Sequence, residues 1–93
     1  MQSTVPMLRP RKKSAQLKQF LALLRQARTD AGVTQSQLGE AMGVPQSFVS
    51  KVEAGERRLD VLELIAWMHA LGVSPVTFVA TLESKAQRNA PLP

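Results

Sequence analysis

Between Thr34 and Gly55 the chain reads TQSQLGEAMGVPQSFVSKVEAG, and no other stretch restricts the fold so tightly. Leu38 and Met42 stand four apart and Val49 and Val52 three apart, so each pair shares one face of a helix. Gly43 supplies the backbone freedom of a sharp corner, and Val44 falls in the turn, where it can plug the angle between the two faces. Gly39 leaves room for one helix to approach the other closely. Thr34 with Gln37 three residues on is a capping box that starts the first helix. The second runs from about Pro45 to Ala54, and Gly55 closes it. Proline is tolerated at a helix start because its missing N–H would be unpaired there. It also stands where a Ser or Thr would add a cap hydrogen bond worth about 1 kcal/mol.

With Val49 and Val52 turned inward, Gln46, Ser47, Ser50 and Lys51 are left on the outer side of the second helix. Such a row is either an ordinary solvated face or a reading head. Its chemistry suits the second role: Gln pairs bidentately with adenine, Lys donates to guanine O6 and N7, and Ser serves either way. Phe48 fits two readings, packing against the neighbouring helix or meeting a thymine methyl or sugar with its ring edge.

These residues together resemble the Cro/repressor-like (XRE) helix-turn-helix family of bacterial and phage regulators. The resemblance extends from about Leu21 to Leu82, and QSFVSKVEAGERRLDVLELIAWMHALG carries it most strongly. It implies a second helix that enters the DNA major groove while the first crosses the backbone. It implies base contacts from Gln46, Ser47 and Lys51, with Ser50 on or near the groove side. It places Gln35 where the family has a glutamine that touches the DNA backbone and braces the first residue of the recognition helix. It also implies an ion pair across the core between Arg28, near the end of the first helix of the domain, and Glu53.

The flanking sequence completes five helices. Leu17, Phe20, Leu21, Leu24 and Ala27 form an apolar stripe over about Ala15–Ala31, and Gly32 ends it. After Gly55, Arg57 and Arg58 stand in a loop well placed for phosphates. Asp60 and Glu63 make a second capping box ahead of a helix that is apolar on more than one side and stops at Gly72. Its Trp67 fits a core position or a dimer surface. Ser74 and Pro75 open a fifth helix with an apolar edge at Val76, Phe78, Val79 and Leu82. Trp67, Phe78, Val79 and Leu82 are the candidate dimer surface.

Composition limits the remaining options. Ninety-three residues, 44% of them apolar, build one small domain with one core. Without cysteine there is neither a disulfide scaffold nor a cysteine–zinc site, and the lone His69 has no histidine partner, so no metal is expected. No run approaches the ~20 apolar residues that span a bilayer, and no apolar segment follows the basic N-terminus as in a secretory signal. The net charge is +5, yet between Leu17 and Glu83 six basic residues face seven acidic ones. The positive excess lies at the ends, in Arg9, Arg11, Lys12, Lys13, Lys85 and Arg88. Placement rather than bulk charge therefore has to carry a DNA-binding reading.

The expectation is an all-α, five-helix, lambda-repressor-like domain over residues 15–83, with the helix-turn-helix at its second and third helices. A disordered basic arm (1–14) precedes it, either following DNA or merely solvated, and a flexible tail (84–93) follows. The implied function is sequence-specific binding of double-stranded operator DNA by a cytoplasmic homodimeric regulator, a repressor, without cofactor, catalysis or membrane association. The rival is an antitoxin or anti-regulator whose main partner is another protein, such as a toxin. The outer face of the second motif helix lacks the Trp, Tyr or Arg anchors such a contact favours.

Overall fold

A computed structural model describes residues 15–89, so the basic arm (1–14) and the last four residues lie outside the described part. The order is α1 (Ala15–Asp30), α2 (Gln35–Met42), α3 (Gln46–Glu53), α4 (Val61–Leu71) and α5 (Pro75–Asn89), with no strand among the described residues.

Local chemistry sets the starts and stops. Thr34 accepts from the Gln37 N–H at 3.0 Å while the Gln37 side chain accepts from the Thr34 N–H at 2.9 Å. Asp60 and Glu63 repeat this reciprocal cap on α4, at 2.7 and 2.9 Å. Pro45 is the N-cap of α3 and offers no side-chain acceptor, so the first turn of that helix goes uncapped by its own sequence. Gly43 closes α2 at φ +74, a left-handed backbone that a residue with a Cβ adopts only under strain.

Gly39 explains how α2 and α3 come so close. A Cβ there would sit 2.8 Å from the Val44 carbonyl oxygen and 3.3 Å from the Gln46 N–H nitrogen. The corner of the motif rests directly on the α2 backbone.

Each helix contributes to one core: Leu24 from α1, Leu38 from α2, Val49 and Val52 from α3, Trp67 and Met68 from α4, Phe78 from α5. Phe20 meets Phe78 edge to face, ring centroids 6.1 Å apart, and ties α1 to α5. Val44 packs on this core from the turn, as does Phe48 with part of its ring.

Two parts of the sequence reading need correction. Trp67 is 0% and Phe78 6% exposed, so neither side chain belongs to a dimer surface. The core takes the largest rings because burying them removes the most apolar area from water, at roughly 25 cal/mol per Å². The apolar surplus left outside is Val61, Leu62, Val76 and Val79, with Leu82 half-buried. The second difference concerns α5, which continues to Asn89 through the beginning of the expected flexible tail. Glu83, Lys85, Ala86, Gln87 and Arg88 are all good helix formers, and no glycine or proline interrupts them before Pro91.

Candidate nucleic-acid interface

The motif folds so that α3 buries Val49, Val52 and the Glu53 side chain and turns its other side to solvent. Gln46, Ser47 and Lys51 are exposed and Ser50 is half-buried beside them. These four residues lie along one eight-residue helix, at its start and one turn later.

Behind this face lies a polar chain centred on a buried carboxylate. Arg28 donates from Nε to Glu53 Oε2 at 2.7 Å and from a terminal nitrogen to Oε1 at 3.0 Å. Its other terminal nitrogen donates to the Val33 carbonyl at 2.9 Å, joining the end of α1 to the loop before α2. Gln35 Nε2 donates to Glu53 Oε1 at 3.0 Å, and Gln46 Nε2 donates to Gln35 Oε1 at 2.8 Å. Arg25 adds a second cation 3.5 Å from Glu53.

Burial alone would push the Glu53 carboxyl up. The hydrogen bonds from Arg28 and Gln35, with the charges of Arg28 and Arg25, outweigh it and hold the group below its ordinary value of 4.5. Glu53 is therefore ionised near neutral pH and can only accept. This fixes the direction of the whole chain. Gln35 must turn its NH2 toward Glu53, which leaves its oxygen toward α3, and Gln46 must then turn its NH2 toward Gln35. Among the described residues Gln46 keeps one N–H and its oxygen free, the donor–acceptor pattern that adenine N7 and N6 complement.

The two loop arginines differ. Arg58 is exposed and its guanidinium has no partner among the described residues. Arg57 donates to both Glu63 oxygens, at 2.7 and 3.0 Å, and lies over the Phe48 ring at 4.4 Å. The sequence treats them as equivalent cations because it shows neither the fold-back of the loop nor the second use of the α4 capping glutamate. A signal existed in the choice of Glu at that capping position, where α2 uses Gln. Arg25 precedes Arg28 by three residues and so shares its helical face, a spacing that points to the same carboxylate.

No single helix among the described residues is long and apolar enough to cross a membrane.

The helix-turn-helix family profile matches residues 24–78. Among solved structures, the chain is similar to an XRE-family like protein from Pseudomonas syringae pv. tomato str. DC3000. The two share 44% identity over 76% of this chain and 87% of that one, with a TM-score of 0.73. It is similar to the restriction-modification controller protein C.AhdI from Aeromonas hydrophila at 31% identity, over 70% and 98% of the two chains, with a TM-score of 0.64. It is also similar to the clp gene regulator ClgR from Corynebacterium glutamicum at 27% identity, over 83% and 86%, with a TM-score of 0.66. No curated protein matches the chain. With the profile spanning more than half of its length and a relative 44% identical over 76% of it, this chain belongs to the XRE helix-turn-helix family of DNA-binding transcriptional regulators.

Proposed function

We propose that the protein is a sequence-specific reader of double-stranded operator DNA that represses transcription as a homodimer. The observation that carries this reading is the oriented amide of Gln46, held by Gln35 and, through it, by Glu53. A glutamine restrained in this way loses little side-chain freedom on meeting a base edge. Ser47, Ser50 and Lys51 extend the same face, with Lys51 suited to guanine O6 and N7. Gln35, at the first turn of α2, retains a second amide hydrogen for a phosphate, and Arg58, without a partner among the described residues, supplies a cation beside α3. For a cytoplasmic regulator of this size, the basic arm before Ala15 adds electrostatic attraction without base preference.

One such domain spans only a few base pairs, and a two-fold operator is the natural means of doubling the contact. The exposed Val61, Val76 and Val79, which line one groove between α4 and α5, are with neighbouring Leu62 the surface we assign to the second copy.

Selection of bound sequences from a random duplex pool, followed by a salt titration on the preferred one, tests the reading. A two-fold symmetric motif with steep salt dependence supports it. Enrichment of no sequence overturns it in favour of a protein partner.

A further inference from the structure

Arg57 occupies an unusual place for a loop cation. Its guanidinium lies 4.4 Å from the centre of the Phe48 ring while both Glu63 oxygens accept its hydrogen bonds, at 2.7 and 3.0 Å. Phe48 belongs to α3 and packs partly on the core. Glu63 belongs to the first turn of α4, where its Oε1 also accepts the Asp60 N–H at 2.9 Å. One planar side chain therefore spans from α3 to the start of α4.

That span matters because α3 packs on α1 and α2 and makes little direct contact with α4. The guanidinium suits the task for a geometric reason. Its face stacks on an aromatic ring while its edge presents a fork of donors to a carboxylate, and a lysine ammonium cannot do both.

We propose that Arg57 is a positioning residue for DNA reading, a strut that sets the angle of α3 against α4 rather than a phosphate contact. This rests on the assignment of α3 as the base-reading helix. A phosphate would have to take Arg57 from a carboxylate that already engages two of its nitrogens, whereas neighbouring Arg58 has no partner to surrender among the described residues. Because α4 carries part of the apolar face assigned to the second copy, the strut also relates each reading helix to the dimer axis.

Two variants separate the strut from a phosphate role. Arg57→Lys keeps the charge and loses both the stacking and the fork. Glu63→Gln removes the carboxylate but keeps the cap, since Gln37 makes the same capping box on α2. The full chain is titrated against its selected duplex and a scrambled duplex over a range of salt. The strut requires both variants to lower the preferred-to-scrambled affinity ratio by about five- to tenfold, with the salt slope unchanged. The proposal is overturned if Glu63→Gln tightens binding to both duplexes and steepens the slope, or if neither variant alters the ratio. Hydrogen exchange of the free protein judges the strut even if no sequence is selected, an outcome that would sink the base-reading assignment instead. Arg57→Lys must speed exchange of the α3 amides while leaving α5 unchanged, and unaltered α3 protection overturns the strut.

Discussion

Two Arg–Glu pairs hold α3, one beneath it and one beside it, and they share their bonding pattern but not their exposure. Arg28 and Glu53 are 12% and 0% exposed in their side chains; Arg57 and Glu63 are 42% and 29%. Both are two-bonded guanidinium–carboxylate contacts with a shortest distance of 2.7 Å. Water screens the outer pair, so its Coulomb attraction adds little to folding, and its effect is directional. The inner pair has no such screening. Once folded, neither partner can be removed without leaving the other short of hydrogen bonds in the interior. Identical chemistry thus supports the fold in one place and aims a helix in the other.

The sharpest way to break this contrast is Glu53→Ala. It leaves Arg28 facing an empty site and Gln35 without its acceptor, and denaturant unfolding should show a loss of about 3–5 kcal/mol. A loss below about 1 kcal/mol would put the two pairs in the same class. Acid titration sharpens the comparison next. The folded Glu53 carboxyl lies below its unfolded value of 4.5, so its stabilising share is complete above that pH and drains away as pH falls through the folded value. Stability should therefore decline below about pH 4.5, more gently in Glu53→Gln. The hydrogen bond from Arg57 also holds the Glu63 carboxyl below its ordinary value, so Glu63→Gln should flatten the acid limb too, but less, because that pair is open to solvent. A smaller effect is expected for Gln35→Ala, about 1 kcal/mol of stability for the lost hydrogen bonds, together with weaker base preference opposite Gln46 in the selected operator. Retained preference at that base pair would show that Gln46 needs no brace. Smallest of all, Glu63→Gln should leave the unfolding midpoint within experimental error, and a clear drop there would make the outer pair structural.

How much of this could be read from residue order depended on range. Both capping boxes and the glycine terminators are local, decided within four residues, and they fall where the sequence puts them. The close approach at Gly39 was legible for the same reason. The Arg28–Glu53 pair spans 25 residues and was implied only by family resemblance. The approach of Arg25 and Gln35 to that same carboxylate depends on angles between three helices, which periodicity does not encode. Trp67 and Phe78 show the limit most directly. An α4 that is apolar on more than one side announces that something covers it, but not which side faces the core and which is left exposed. The end of α5 failed differently, because a polar composition suggested a frayed tail where helix propensity prevailed.

The position of Trp67 has a spectroscopic consequence. It is the sole tryptophan of a chain without tyrosine, so near-ultraviolet absorbance and emission come almost entirely from this one indole. The ring is sealed within the core, away from both the proposed DNA face and the outer apolar strip of α4 and α5, and its N–H has no hydrogen-bond partner among the described residues. Its emission should therefore lie toward the blue in the native protein, shift to the red on unfolding, and respond weakly to association of copies. A single intrinsic fluorophore then separates loss of fold from dissociation of the proposed dimer.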